Sequence, residues 1–378
     1  MPAEIPARAA REMAALLGGR PEALDALDAV APRTADALAA GFADVLSESG
    51  LGRAEREIAT LAALIALGDT GPQLAVHTAA ARNAGVDDPE IALLVPHLVP
   101  YVGFPRVLQA VGAMGLTRVP PEHDVDLGTH TTRVTDRPAD GAEEREPLVL
   151  LHALALDRRM WGRVLDLLPA DRRVIVPDLR CHARAADAPP PATLHDHADD
   201  LAALLDRLEV PTAQVAGLSL GGAVAQTFAL DHPARVARLD LLATVADPNE
   251  AFEGRARSGE ADGMAAQIAP TLARWFTPET LAENPWAVRY ARDRIARMAP
   301  ADWAATLRAL ATVDTRARLP EITVPTRVVA GGADQSTPAD GVRTIADDIP
   351  GAEYSVVPGA PHMIALQMPD ELAALLAH

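Results

Sequence analysis

Along the first 118 residues the apolar positions recur every three to four residues and almost never alternate. Alanine and leucine keep this spacing through 9–17, 23–30, 35–46, 53–67, 73–84 and 89–101, which predicts helices there. Glycine and proline at 50–52, 68–72 and 85–89 mark turns between them, and Pro96 and Pro100 should kink the last helix. The stretch from Val119 to Asp126, with two prolines and mixed charge, breaks the pattern, and a linker is expected at 119–127. Beyond it short apolar runs predict strands at 130–135, 147–152, 173–177, 214–217, 238–243, 326–331 and 353–357, with amphipathic helical stretches such as 194–208 and 338–348 between them. That alternation predicts a largely parallel sheet wrapped by helices. It lapses between Asp247 and Leu319, a helical segment holding Trp275, Trp286 and Trp303, which predicts a helical cap over the carboxyl edge of the sheet, where open α/β sheets bind ligands. The expected fold is therefore multidomain: an all-α domain over 1–118, then an α/β domain over 128–378 with its cap at about 247–319.

Composition narrows the chemistry. With 378 residues, 49% of them apolar, the chain can fill two cores. No run of 18 apolar residues and no basic-then-apolar leader follows Met1, so neither a membrane span nor an export signal is expected, and the expected location is the cytoplasm. The single cysteine, Cys181, allows no internal disulfide and no Cys-x-x-Cys redox pair. A net charge of −18 argues against a nucleic-acid partner. All 34 cationic side chains are arginine, which excludes Schiff-base lysine chemistry and a phosphate-loop lysine; an anionic substrate would need a local arginine.

The most informative stretch is Val215-Ala216-Gly217-Leu218-Ser219-Leu220-Gly221-Gly222-Ala223. It reads as a buried strand, a tight turn and a helix opening, with small residues two positions either side of Ser219. Such a turn holds a serine hydroxyl clear of the backbone and sets the N–H of Leu220 at a helix start, where an oxyanion can bind. A serine needs a base, and the base needs an orienting acid. Asp334 and His362, each on a loop directly after a predicted strand, follow in the order expected of an α/β-hydrolase sheet; Asp247 is the reserve acid. A second oxyanion donor is expected from the loop starting at His152, most simply the N–H of Leu154.

Residues from about 128 to 378 resemble the 3-oxoadipate enol-lactone hydrolases of the α/β-hydrolase superfamily, through Arg159-Met160-Trp161, the Ser219 turn, the Leu272 to Pro278 stretch of the cap, and the Asp334 and His362 loops. The resemblance implies a lactone carboxylate as substrate, with Arg159, Trp161, Arg274 and Trp275 as candidate binding residues. Two departures are plain: the His-Gly of the family's oxyanion loop is His152-Ala153 here, and its Gly-His-Gly-x-Ser is Cys181-His182-Ala183-Arg184-Ala185.

In the first domain Gln73 and His77 are four apart and share a helix face, while Glu57 begins the preceding apolar helix. Residues from about 33 to 113 resemble carboxymuconolactone decarboxylases through Arg56-Glu57, the Gln73 to His77 helix, Arg82-Asn83-Ala84-Gly85 and Val99 to Pro105. That resemblance implies His77 as a general acid partnered by Glu57, with Gln73 or Arg56 holding substrate, and assembly into a homo-oligomer through the helical domain. In the protocatechuate branch of aromatic breakdown the two activities are consecutive, and their fusions usually carry the hydrolase first. No metal or organic cofactor is expected, because His182, His195 and His197 lack a carboxylate or cysteine framework. Two other readings fit the residues: a serine ester or lactone hydrolase of another, natural-product pathway with an oligomerising helical domain, and a ligand-sensing receptor on a hydrolase fold.

Overall fold

The computed structural model describes residues 22–37, 50–86, 88–116, 120–141 and 145–377. The chain forms two compact units that divide between Val119 and Pro120.

The described part of the first unit is helical: Glu22–Val30, Arg53–Leu67, Gly71–Asn83, Asp88–Ala92, Leu94–Val102 and Phe104–Met114, with 32–37 also helical. The helix expected at 9–17 lies outside the described residues, and so does most of the one expected at 35–46. The single helix expected over 89–101 is two, interrupted by a turn at Leu93. Gly103, with φ of 78°, then ends the second of them, and Pro105 starts Phe104–Met114, a helix the alanine and leucine spacing did not single out. Leu61, Ile65, Leu74, Ala81, Leu98, Val107 and Met114 fill the core of this unit.

The second unit is built on an eight-stranded sheet: β1 Glu122–Asp126, β2 Thr131–Arg137, β3 Leu148–Leu151, β4 Val174–Pro177, β5 Ala213–Leu218, β6 Val236–Leu242, β7 Thr326–Gly331 and β8 Glu353–Val357. The strand order is β1-β2-β4-β3-β5-β6-β7-β8; β2 runs antiparallel to both its neighbours, β1 and β4, and every other pair is parallel. β3, β4, β5 and β7 are buried along their whole length, which is why they read as unbroken apolar runs. The linker expected at 119–127 is corrected here, since Glu122–Asp126 is a strand pairing with β2. It was unreadable because four of its five residues are polar and exposed, with only Val125 turned inward. Charge holds it instead: Arg158 grips Glu122 through Nη2 at 2.7 Å and Nε at 3.1 Å.

Between β6 and β7 the chain leaves the sheet for five helices, Glu250–Asp262, Met264–Trp275, Pro278–Glu283, Trp286–Arg297 and Pro300–Ala311, the segment read as a cap. No helix among the described residues is long and apolar enough to cross a membrane.

The tightest packing lies where β5 turns into helix Leu220–Asp231. A Cβ on Gly217 would stand 2.0 Å from the Gly221 carbonyl oxygen, and one on Gly221 would stand 2.2 Å from that of Leu151. Backbone is pressed on backbone, so no rotamer change could make room. Gly217→Ala should therefore lower the unfolding free energy by about 3 kcal/mol or more. Gly254→Ala, at a helical glycine with nothing within 4 Å of its Cβ position, should raise it by up to about 1 kcal/mol. Urea titration of the two variants checks both.

Candidate active site

Ser219 sits at φ 56° and ψ −112°, a conformation rare for a residue with a side chain. Its N–H donates to the Leu242 carbonyl at 2.9 Å, and its own carbonyl accepts from Ala223 N–H at 3.0 Å and Thr244 Oγ1 at 2.7 Å. The side chain is thereby held above the sheet with Oγ 2.9 Å from His362 Nε2. His362, on the loop after β8, is buried and donates from Nδ1 to Asp334 Oδ2 at 2.8 Å. Asp334, on the loop after β7, also accepts from the N–H groups of Ser336 and Thr337 at 2.6 and 2.9 Å and from the Thr337 hydroxyl at 2.7 Å. Burial would raise its pKa, but His362 and the Thr337 hydrogen bonds outweigh burial and hold the carboxyl below its ordinary value. The structure thus brings Ser219, His362 and Asp334 into one chain of hydrogen bonds. Asp247 stands apart, bound by both ends of the Arg316 guanidinium.

Leu154 lines the same cleft as Ser219 and His362. Its neighbours' N–H groups are engaged: Ala153 donates to Met160 Sδ at 3.2 Å and Ala155 to His182 Nε2 at 3.0 Å. The Leu220 N–H lies in the first turn of its helix, where no intrahelical acceptor exists. Both therefore suit an oxyanion in front of Ser219.

Two buried histidines clasp this loop, and sequence reasoning missed them in this role. His152 Nε2 accepts the Leu179 N–H at 2.8 Å while its Nδ1 donates to Ala153 O at 2.8 Å; His182 Nε2 accepts the Ala155 N–H while its Nδ1 donates to Arg180 O at 2.8 Å. In each ring one nitrogen must accept, so the neutral form is required. Burial drives His152 down to about 4; burial and then the neighbouring His152 drive His182 down to about 3. Where the resembled family has glycines, Cys181 and Ala183 adopt φ of 64° and 46°, so the backbone keeps the glycine conformation and carries the strain. The Cys181 thiol is pushed up to about 12 by burial, the opposite of a reactive cysteine.

Of the candidate binding residues, Trp275 lines the cleft. Trp161 does not: it is fully buried in the core of the second unit, so the expectation that it meets substrate is corrected. Arg159 is not among the residues lining this cleft; its guanidinium pairs with Asp157, Nη2 3.1 Å from Oδ2, and lies over the Tyr290 ring. Arg274 donates to Thr271 Oγ1 at 3.2 Å. Arg255, not foreseen, lines the cleft beside Phe252. With 34 arginines in the chain, only its place three residues after Phe252 on a cap helix could have marked it.

In the first unit, His77 Nδ1 donates to Glu57 Oε2 at 2.8 Å. Glu57 is nearly sealed from solvent while His77 is half-buried, which leaves Nε2 as the ring's outward nitrogen. Gln73, one turn before His77, is exposed, and Arg56, beside Glu57, is half-buried.

The loop geometry has two measurable consequences. Ala183→Gly should stabilise the second unit by about 1 kcal/mol by relieving the positive φ, read as a higher urea midpoint. The buried histidines act on pH dependence. Below about 6.5 an unfolded imidazole binds a proton while His182 stays neutral to about 3, so the unfolded state holds more protons and stability falls as pH falls across that window. The His182→Gln variant should show a decline shallower by about 1.4 kcal/mol per pH unit.

The alpha/beta hydrolase fold family matches residues 146–369, and the carboxymuconolactone decarboxylase family matches residues 32–115. The chain is 30% identical to 3-oxoadipate enol-lactonase 2 of Acinetobacter baylyi over 221 residues, covering 58% of this chain and 80% of that protein. It is 26% identical to 3-oxoadipate enol-lactonase 1 of the same organism over 257 residues, covering 66% and 96%. The crystal structure of the enol-lactonase from Burkholderia xenovorans LB400 superposes with a TM-score of 0.62 at 27% identity, covering 68% of this chain and 98% of that one. The chain belongs to the alpha/beta hydrolase fold family and carries, ahead of that domain, a domain of the carboxymuconolactone decarboxylase family.

Proposed function

We propose that this is a bifunctional enzyme that decarboxylates 4-carboxymuconolactone in its first domain and hydrolyses the resulting 3-oxoadipate enol-lactone to 3-oxoadipate in its second, as in the protocatechuate branch of aromatic breakdown. The observation that carries the reading is the relay from Ser219 Oγ through His362 to Asp334, at 2.9 and 2.8 Å.

In the second domain Ser219 Oγ bonds to the lactone carbonyl carbon as His362 Nε2 takes its proton, and Asp334 stabilises the imidazolium. The N–H groups of Leu220 and Leu154 hold the oxyanion, each worth on the order of 10² to 10³ in rate. Collapse breaks the ring C–O bond, His362 returns the proton to the leaving enol, and the enol tautomerises to the ketone. Water, deprotonated by His362, then releases the acid from Ser219. Trp275 packs on the substrate from the cap.

In the first domain, loss of CO2 from the lactone leaves electron density over the unsaturated ring. His77 protonates it at carbon, Glu57 orients the ring of His77, and Gln73 or Arg56 holds the substrate. Self-association through the helical domain belongs to the same proposal, supported by exposed apolar side chains at Leu67, Tyr101, Phe104 and Leu108.

The test is to supply purified protein with 4-carboxymuconolactone and follow CO2 and 3-oxoadipate. Ser219→Ala should leave CO2 release intact and slow ring opening by at least about 10³-fold. His77→Ala should slow CO2 release by about 10²- to 10⁴-fold and leave hydrolysis of supplied enol-lactone intact. Absence of both products from the unaltered protein overturns the substrate assignment; loss of both steps in either variant overturns separate sites.

A further inference from the structure

Two arginines in the cap carry charge that no acidic group among the described residues answers. Arg255, on helix Glu250–Asp262, lines the cleft with Ser219 and His362, its guanidinium 5.4 Å from the centre of the Phe252 ring. Arg274, on helix Met264–Trp275, makes one hydrogen bond, to the neutral Thr271 hydroxyl, and its Nε is buried without a partner. Neither forms an ion pair among the described residues, although the neighbouring cap carboxylates do: Glu253 and Glu260 bind Arg308, and Asp293 binds Arg297. The contrast with Arg159 and Arg294, which share Asp157, is direct. Burial, and then the like charge of Arg255, bring the Arg274 guanidinium down to about 10, and burial lowers Arg255. A half-buried guanidinium that lines the cleft without a carboxylate to answer it destabilises the empty cleft, and an anion bound beside Arg255 removes that penalty. Apart from Thr244, Ser336 and Thr337 the rest of the cleft wall is apolar, with Leu154, Val245, Phe252, Trp275 and Leu310, which suits an organic acid better than inorganic phosphate.

We propose that Arg255 forms a subsite for a carboxylate carried by the substrate, so that the second domain selects anionic lactones and esters over neutral ones of the same shape. Arg255 contacts the carboxylate in the cleft, and Arg274 reinforces the charge. The subsite deepens the reading of Ser219 as nucleophile and rests on it for turnover, though not for binding.

The test uses the full chain and two esters, mono(4-nitrophenyl) glutarate, which is anionic, and its neutral methyl ester. The unaltered protein should favour the anion. In Arg255→Met the ratio of kcat/KM for anion to neutral ester should fall by about 10- to 100-fold, the worth of a charged hydrogen bond. Arg274→Met should lower the same ratio, and Arg255→Lys should keep part of the preference. A ratio unmoved by Arg255→Met overturns the subsite while Ser219-dependent cleavage keeps the nucleophile reading. Calorimetric titration of glutarate into Ser219→Ala separates the converse case. There, adding Arg255→Met should weaken binding by at least about 10-fold. If neither ester is cleaved yet glutarate binds through Arg255, the subsite stands and the nucleophile reading falls; if glutarate binding ignores Arg255, the subsite falls.

Discussion

The second unit depends on one steric fact, the contact of bare backbone with backbone at Gly217 and Gly221. Because Gly217 lies against the Gly221 carbonyl, β5 and helix Leu220–Asp231 cross closely enough to force Ser219 into its positive φ. Because Gly221 lies against the carbonyls of Leu151 and His152, the same turn is pressed on the end of β3. Ser219 and the loop holding Leu154 are thus set by one contact. Asp334 and His362 are brought to that point on the loops after β7 and β8, two and three strands along the sheet from β5.

Charge in the second unit divides into two kinds. Most arginines near the sheet edge and cap are answered: Arg158 by Asp178 and Glu122, Arg180 by Asp200, Arg159 and Arg294 by Asp157. Those pairs hold polar elements such as β1 where apolar burial is lacking. Among the described residues the guanidiniums of Arg255, which lines the cleft, and of Arg274, half-buried in the same cap, go unanswered. In a chain whose cations are all of one type, residue identity carries little information, and the presence or absence of a partner carries most of it.

That difference explains what was legible in the sequence. The parallel strands were readable because burial on both faces leaves unbroken apolar runs, and the turn at Ser219 because its steric need admits only glycine at fixed spacing. Ser219, Asp334 and His362 stood out by their order and their place after strands. β1 was hidden because its stability comes from Glu122 and Arg158, 36 residues apart in the chain. The roles of His152 and His182 were hidden because a neutral buried imidazole that accepts a backbone N–H leaves no local pattern. Trp161 and Arg159 looked like binding residues because they belong to a resembled motif, but one is core and the other is neutralised by Asp157.

Asp157 accepts from the Tyr290 hydroxyl at 2.7 Å and pairs with Arg294 at 3.1 Å, both from cap helix Trp286–Arg297, while belonging to the loop that carries Leu154. Burial would raise its pKa, but the Arg159 and Arg294 guanidiniums and the Tyr290 hydroxyl outweigh burial and hold the carboxyl below its ordinary value. The cap is therefore not an independent module laid over the sheet, and an engineer grafting another cap between β6 and β7 would leave the buried Asp157, in the loop that carries Leu154, with Arg159 but without its two cap partners. Any such chimera has to carry the tyrosine and the arginine across together, or replace Asp157 as well.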